Sequence, residues 1–214
     1  MAAPGAAHAG AWVTAGEDRT ISTVGYARDG DVATVESDVF TEKAIGNRFA
    51  LVGHTFFAQD TLGQAVDEAD IDAKVLGYRG RRLVAAAQLG VTWRSQPEPG
   101  CTETGVEARA LAGISSRTGK SFLNGETAIR YAGGCPHVRY ELTAGWRPRE
   151  RWLGLGQIFV DDDLAYGASI KAQAGLVRFS RKGRGLQISL RARIDEGSVI
   201  EPTIILGYWS ASRH

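Results

Sequence analysis

Nearly every segment between Thr20 and Ser210 alternates apolar with polar residues. Successive side chains of a β-strand point to opposite faces, so a period of two predicts strands with one apolar and one polar face. In one such segment Leu89 and Trp93 share a face, and Gln88 lies on the other. The alternation therefore predicts an all-β chain.

The alternating segments divide the chain into about twelve strands, most of them near the ~9–11 residues that a tilted membrane-crossing strand needs. We expect strands at 20–28, 32–41, 47–57, 70–79, 82–93, 104–115, 121–132, 137–146, 152–160, 167–180, 185–195 and 199–210. The strands at 47–57 and 152–160 carry apolar residues on both faces, so their orientation is ambiguous. An even number of up-and-down strands brings both termini to the same end of the sheet.

The turns between these strands alternate in character. One set is short and basic, at 79–82, 117–120, 147–151 and 181–184. The other set is acidic or longer, at 60–70, 95–104, 161–163 and 195–196. Successive turns of a meander lie at opposite ends, so the pattern indicates a cylinder with one basic and one acidic rim. We predict a closed antiparallel up-and-down transmembrane β-barrel, the form in which strands can cross a membrane.

The composition fits one such domain, at 10–214. The 25 basic and 24 acidic residues give a net charge of +1, which argues against a nucleic-acid partner. A mean hydropathy of −0.17 is compatible with a transmembrane barrel, because its apolar face is hidden in the alternation. Residues 6–9 resemble a small-residue signal cleavage site, so we interpret 1–9 as the end of a signal peptide or a flexible tail.

The two cysteines fit an exported protein. Cys101 precedes one predicted strand and Cys135 follows the next, so both lie at the same rim. We predict a disulfide between them, which an oxidising compartment such as the periplasm permits.

Aromatic residues gather near the ends of the predicted strands, where girdles of amphipathic rings are typical of membrane interfaces. At the acidic rim they are Trp93, Tyr131 and Tyr166, and at the basic rim Tyr78, Trp146, Trp152, Phe179, Tyr208 and Trp209.

The inward faces carry charged residues that we predict to line the lumen, namely Glu107, Arg109, Glu126, Arg130, Arg139, Glu141, Lys171, Arg191 and Arg193. Pairing strands across the basic turn puts Glu107 opposite Arg130 and Arg109 diagonal to Glu126. We also expect Arg130 to lie near Arg139 and Glu141. The last three residues of the set form a net-basic wall, and Glu36 and Asp38 form an acidic one.

Candidate catalytic and metal motifs are weak. The segment 113–121 resembles a phosphate-binding loop, but it has one residue too many between its glycines and continues as a strand. His54 and His137 have no serine and orienting partner beside them, as a lipid hydrolase would need. The acidic run 161–163 lacks the spacing of a calcium loop. We therefore expect no enzyme, no cofactor and no metal.

The start at 10–12 (Gly-Ala-Trp) and the end at 204–209 (Ile-Ile-Leu-Gly-Tyr-Trp) resemble small bacterial outer-membrane β-barrels with about twelve strands. The closest likeness is to short alphaproteobacterial barrels of unassigned substrate. In this chain 210–214 follow the terminal aromatic that such barrels present to the assembly machinery. The resemblance implies a bacterial outer-membrane location, contact with outer-membrane lipid, lipopolysaccharide and the assembly machinery, and a monomer.

Three functional hypotheses follow. The first is a narrow porin-like channel for small polar or anionic solutes. The second is a non-conducting structural or partner-binding barrel whose lumen is filled by its own salt bridges. The third is a soluble β-barrel that holds a ligand.

Overall fold

The computed structural model describes residues 17–97, 99–163, 167–180, 183–195 and 198–213. Twelve strands occupy this part of the chain: β1 Glu17–Asp29, β2 Val32–Ile45, β3 Phe49–Asp60, β4 Ala65–Arg79, β5 Leu83–Arg94, β6 Thr104–Ser115, β7 Ser121–Ala132, β8 Cys135–Arg149, β9 Trp152–Asp163, β10 Gly167–Phe179, β11 Gly185–Asp195 and β12 Ser198–Arg213. The predictions for 1–12, for Tyr166 and for the turn residues 181, 182 and 196 lie outside the described residues.

Each strand pairs antiparallel with its neighbours in the sequence, and β1 pairs with β12 to close the barrel. At this seam Thr20 faces Ser210 and Tyr26 faces Ile204. The predicted fold class, a closed up-and-down β-barrel, is confirmed. Among the described residues no helix is long and apolar enough to cross a membrane.

The predicted strands all exist, but several are longer than expected. The largest difference is at β4, which begins at Ala65 rather than at residue 70. Its acidic first half stays in the sheet because Glu68 points into the barrel, where its carboxylate lies 3.3 Å from Arg94 Nε. An acidic stretch that seemed typical of a loop is thus a strand whose inward side is charged.

The two strands with ambiguous faces are now oriented. In β3 the side chains of Ala50 and Val52 are buried inside the barrel. In β9 Leu153 and Leu155 are buried inside, whereas Ile158 is exposed on the outside. Both strands therefore direct apolar side chains into the lumen near the end where β1 begins and β12 ends, which we call the terminal end.

The outer surface is an apolar band of exposed valine, leucine and isoleucine side chains. Leu89 and Leu186, for example, retain 66% and 69% of their accessible surface. A band of this kind around a closed sheet is unfavourable in water and is the surface that lipid covers. The hypothesis of a soluble ligand-binding barrel is therefore wrong.

The end opposite the termini, which we call the loop end, carries a two-residue turn between β7 and β8. Its residues Gly133 and Gly134 have φ angles of 63° and 97°. Positive φ at both central positions is what such a hairpin turn requires and what glycine tolerates. The turn fixes Ala132 opposite Cys135 and so sets the register of the whole β7–β8 pair.

The predicted disulfide is present at the loop end. Cys101, in the loop before β6, is bonded to Cys135, the first residue of β8. The bond ties this loop to the β7–β8 turn, and no free cysteine is present among the described residues.

Replacing both cysteines by serine should leave a closed barrel that is about 2 kcal/mol less stable, because the cross-link restricts the unfolded chain. Heat-dependent gel mobility would report closure, and guanidinium unfolding in vesicles would report stability. A thiol reagent should label the oxidised protein only after reduction. Labelling of unreduced, periplasm-folded protein would contradict the disulfide.

Candidate functional site: the charged lumen

The predicted lumen residues all point into the barrel. Glu107 is buried, and the others are partly buried on the inner faces of β6, β7, β8, β10 and β11. Their positions follow from the alternation, since each lies on the face opposite the exposed apolar residues of its strand. The interior is therefore lined in part by ionisable groups, as transmembrane barrels allow.

Arg109 is the centre of an ion-pair network on one wall. Its guanidinium contacts Glu107 and lies 2.9 Å from Glu126 Oε1 and 3.4 Å from Asp70 Oδ2. Arg130 extends the network, with Nε 3.0 Å from Glu107 Oε2. The expected pairings of Glu107 with Arg130 and of Arg109 with Glu126 are both present.

A glycine makes the Arg109 network possible. Gly90 on β5 lies between Asp72 on β4 and Glu107 on β6. A Cβ atom at Gly90 would lie 2.0 Å from Asp72 Oδ1 and 2.3 Å from the Ile71 carbonyl oxygen. Any side chain at this position would displace the Asp72 carboxylate, so glycine leaves room for it.

Glu141 lies in a different register along β7 from the one that the sequence predicted. The two-glycine turn sets Arg130 opposite His137, and Glu141 opposite Glu126. The expected proximity of Arg130 to Glu141 is therefore wrong, because the turn is tighter than expected. Glu141 Oε1 instead accepts hydrogen bonds from Thr143 Oγ1 at 2.7 Å and from Gln157 Nε2 at 3.2 Å.

His54 joins the network, although the sequence pattern did not predict this contact. Its Nε2 lies 2.8 Å from Asp38 Oδ2, and its Nδ1 lies 3.0 Å from Asp70 Oδ1. The inward position of Val52 and His54 on alternate residues was the available signal, but apolar residues on both faces of β3 obscured it. His54 thus connects Asp38 on β2 with the carboxylate that Arg109 also contacts.

The second histidine lies at the loop end of the lumen. His137 contacts Asp161, and Arg139 Nη2 lies 3.3 Å from the other oxygen of the same carboxylate. Both histidines therefore contact carboxylates rather than a serine hydroxyl. Within the described ranges no group of three or more His, Cys, Asp or Glu side chains is arranged to hold a metal ion.

The predicted basic wall lies on β10 and β11. Lys171 is directly opposite Arg193 in the sheet, and Arg191 is the next inward residue of β11. Arg191 contacts Glu36 across the closing seam, where Gly25 leaves the space between them. In the described part of the chain the Lys171 ammonium forms no hydrogen bond or ion pair. We call Lys171, Arg191 and Arg193 the basic strip.

The lumen at the terminal end holds apolar clusters as well as buried ion pairs, which is a correction to the expectation of a wholly polar interior. Two clusters of buried side chains lie on opposite arcs of the barrel. One comprises Ala50, Leu76, Val84, Ala86 and Leu111, and the other comprises Phe122, Leu153, Leu155, Val177 and Trp209. Two buried ion pairs lie at the same end, with Lys74 Nζ 2.7 Å from Glu42 Oε2 and Arg19 Nε 3.2 Å from Glu17 Oε1.

Two of the predicted interface aromatics belong to this apolar region. Trp209 is buried, its indole N–H donates to Gln187 Oε1, and its ring meets Phe179 edge-on at 6.1 Å. Trp209 and Phe179 are therefore inside the barrel rather than in the interface girdle. Neighbouring residues of a strand point to opposite faces, so Tyr208 and Trp209 cannot both face outward.

The other predicted aromatics within the described residues lie on the outer surface. Those at the loop end are Trp93 and Tyr131, and those at the terminal end are Tyr78, Trp146, Trp152 and Tyr208. The Trp152 ring lies against the Arg178 guanidinium, 5.5 Å from its centroid. These positions suit the two headgroup regions of a membrane.

The fold and its lumen define a twelve-stranded transmembrane-type β-barrel with a charged interior. No protein-family model matches the chain, and no curated protein matches it in sequence. Solved structures do match.

The NanC porin superposes with a TM-score of 0.67 at 8% identity, covering 91% of this chain and 99% of that one. The KdgM porin superposes with a TM-score of 0.64 at 7% identity, covering 91% and 99%. An outer-membrane channel from Pseudomonas putida F1 superposes with a TM-score of 0.65 at 10% identity, covering 99% and 100%. At these sequence identities the structural similarity shows a shared fold and nothing more specific.

Proposed function

We propose that this chain forms a narrow porin-like channel in the bacterial outer membrane for small polar and anionic solutes. The observation that carries the proposal is the basic strip, in which the Lys171 ammonium faces the lumen beside two guanidinium groups. Outer-membrane lipid, lipopolysaccharide and the assembly machinery would be its partners, and a single chain would close the pore.

The arrangement of the charges favours anions over cations. In the Arg109 network Arg109 and Arg130 contact four carboxylates, those of Glu68, Asp70, Glu107 and Glu126, so that wall would not attract anions. On the basic strip one guanidinium, that of Arg191, contacts Glu36. The Lys171 ammonium, which forms no ion pair within the described residues, would concentrate small anions there, because charges in a narrow lumen act at short range.

The ligand of one structural neighbour also favours a channel for anionic solutes. The KdgM porin has been solved in complex with disordered oligogalacturonate, which is an anionic oligosaccharide. That ligand is a property of KdgM. For this chain the likeness supports transport of hydrophilic solutes through a barrel of the same architecture.

The expected result is that replacing Lys171 and Arg193 by glutamine reduces or reverses a preference for anions. The reversal potential across a salt gradient in planar bilayers would measure it. The wild-type preference should weaken as salt rises, since the Debye length falls from about 8 Å at physiological ionic strength to about 3 Å at 1 M.

A matched control removes the same charge outside the lumen. Arg117 and Lys120 lie in the turn between β6 and β7 at the terminal end, and both are exposed. Glutamine at these two positions should leave the reversal potential close to that of the wild type. Equal reversal potentials for the wild type and the basic-strip variant would refute the anion-selective channel.

A second candidate function is a non-conducting structural or partner-binding barrel. The continuous network around Arg109 and the apolar terminal end favour it, because both fill the lumen with the chain's own side chains. Absence of any single-channel conductance from the folded wild-type protein would make this second candidate the better one.

A further inference from the structure

The lumen is open at one end and filled at the other. Near the loop end Arg139 and Asp161 keep 28% and 29% of their side-chain surface accessible. Near the terminal end Leu153 and Val177 keep 0%. On the arc β8–β10 accessibility therefore decreases along the barrel axis from the loop end towards the terminal end, whereas on β4–β6 Asp70 and Glu107 are buried near the loop end as well.

The filled part comprises the two apolar clusters and the buried Lys74–Glu42 and Arg19–Glu17 pairs. We call it the terminal layer. The first cluster lies on the arc β3–β6, and the second lies on β7, β9, β10 and β12. The clusters face each other across the interior, and their side chains occupy it together with the buried ion pairs.

Glycines opposite the large rings allow this filling. The Phe122 ring lies over Gly145, where a Cβ atom would come within 2.1 Å of Phe122 Cε1. The Phe179 ring lies over Gly185 in the same way, at 2.9 Å. Without side chains at these glycines the rings can extend along the inner wall and close the lumen.

We propose that the terminal layer is the permeability barrier of the barrel, and that the rest of the lumen is a vestibule open at the loop end. This inference extends the proposed channel function, and its test by conductance rests on that function. A narrow segment lined by apolar side chains, with its charged groups paired to each other, opposes ion passage because an ion must lose its hydration there, and apolar constrictions control flow by excluding water. Solutes that gather at the basic strip would then be limited by this layer.

The competing explanation is that the terminal layer is only a packing core, since small barrels fill their interiors to be stable. The two explanations differ in what happens when the layer becomes polar. A packing core contributes only stability, whereas a barrier also determines conductance.

Conductance tests this difference with a matched pair of adjacent residues on opposite faces. Val177 is buried in the terminal layer, and Leu176 faces the lipid. Val177→Ser should raise single-channel conductance at least about threefold, since it makes the constriction wider and more polar. Leu176→Ser should leave conductance unchanged. If Val177→Ser does not fold, Val177→Ala serves in the same comparison.

Thiol labelling tests the barrier without relying on conduction. The native cysteines are joined to each other, so an introduced cysteine is the thiol that a reagent meets. A small anionic methanethiosulfonate added to proteoliposomes from the loop side should modify Gln173→Cys, in the vestibule, at least about tenfold faster than Val177→Cys, since access controls thiol reactivity.

The outcomes separate the two proposals. Equal labelling rates at 173 and 177 would overturn the barrier. A conducting wild type whose conductance Val177→Ser does not change would also overturn it and would leave the channel function intact. A wild type that does not conduct, with Val177→Cys protected, would refute the channel function and support the terminal layer as a permanent seal.

Discussion

A barrel carrying Lys74→Met should lose about 3–5 kcal/mol of unfolding free energy, because the substitution leaves a buried carboxylate without its partner. Lys74 and Glu42 each keep only 1% of their side-chain surface accessible, and their charged groups are 2.7 Å apart. Water cannot replace the lost ammonium at this depth. Guanidinium unfolding of vesicle-refolded protein, followed by tryptophan fluorescence, would measure the loss.

The control is Lys43→Met. Lys43 follows Glu42 in β2, faces outward and is exposed. It removes the same charge without exposing a buried partner and should change stability little. The double variant Lys74→Met with Glu42→Leu should recover most of the loss, since apolar side chains can replace a buried pair. A single Lys74→Met variant as stable as Lys43→Met would contradict the prediction.

Leu89→Arg should destabilise the barrel by about 2–4 kcal/mol, the usual effect of a cation at the middle of the lipid-facing surface. Leu89 is the seventh residue of the twelve-residue β5, and it is exposed on the outer band. Its neighbours across the ladders, Ala73 and Ala108, offer no charge to pair with. Folding yield in vesicles and guanidinium unfolding would both report the change.

Two further variants test whether the effect of Leu89→Arg comes from placing a charge in the membrane interior. Leu89→Phe keeps the position apolar and should be tolerated. Trp93→Arg places the same cation on the same face at the loop-end girdle, where the effect should fall to about 0–1 kcal/mol. If arginine is equally tolerated at 89 and 93, residue 89 is not in the membrane interior.

The strands could be predicted because the alternation that indicates a strand lies within that strand's own sequence. A period of two determines the faces of β5, β6 and β11 without any knowledge of partners, and the observed bounds of β6 and β7 match the predicted ones. The same locality explains the pairing of Glu107 with Arg130, which depends only on one short turn. The disulfide could be predicted for a similar reason, since an up-and-down order brings two turns to one rim.

Contacts that cross several strands could not be predicted from the sequence. The bridging of Asp38 and Asp70 by His54 depends on the registers of both β2–β3 and β3–β4. The terminal layer was missed for a different reason. Its members include residues of strands with apolar side chains on both faces, where alternation does not indicate which face is inside. That ambiguity was the available sign of an apolar patch in the lumen.

The contact between Arg191 and Glu36 joins residues that are 155 positions apart in the chain. It links β11 to β2 across β12 and β1, the last and first strands. The two side chains come within reach only after the final hairpin has met the start of the chain. This ion pair therefore forms late in assembly, and its presence distinguishes a completed cylinder from a sheet that is still open.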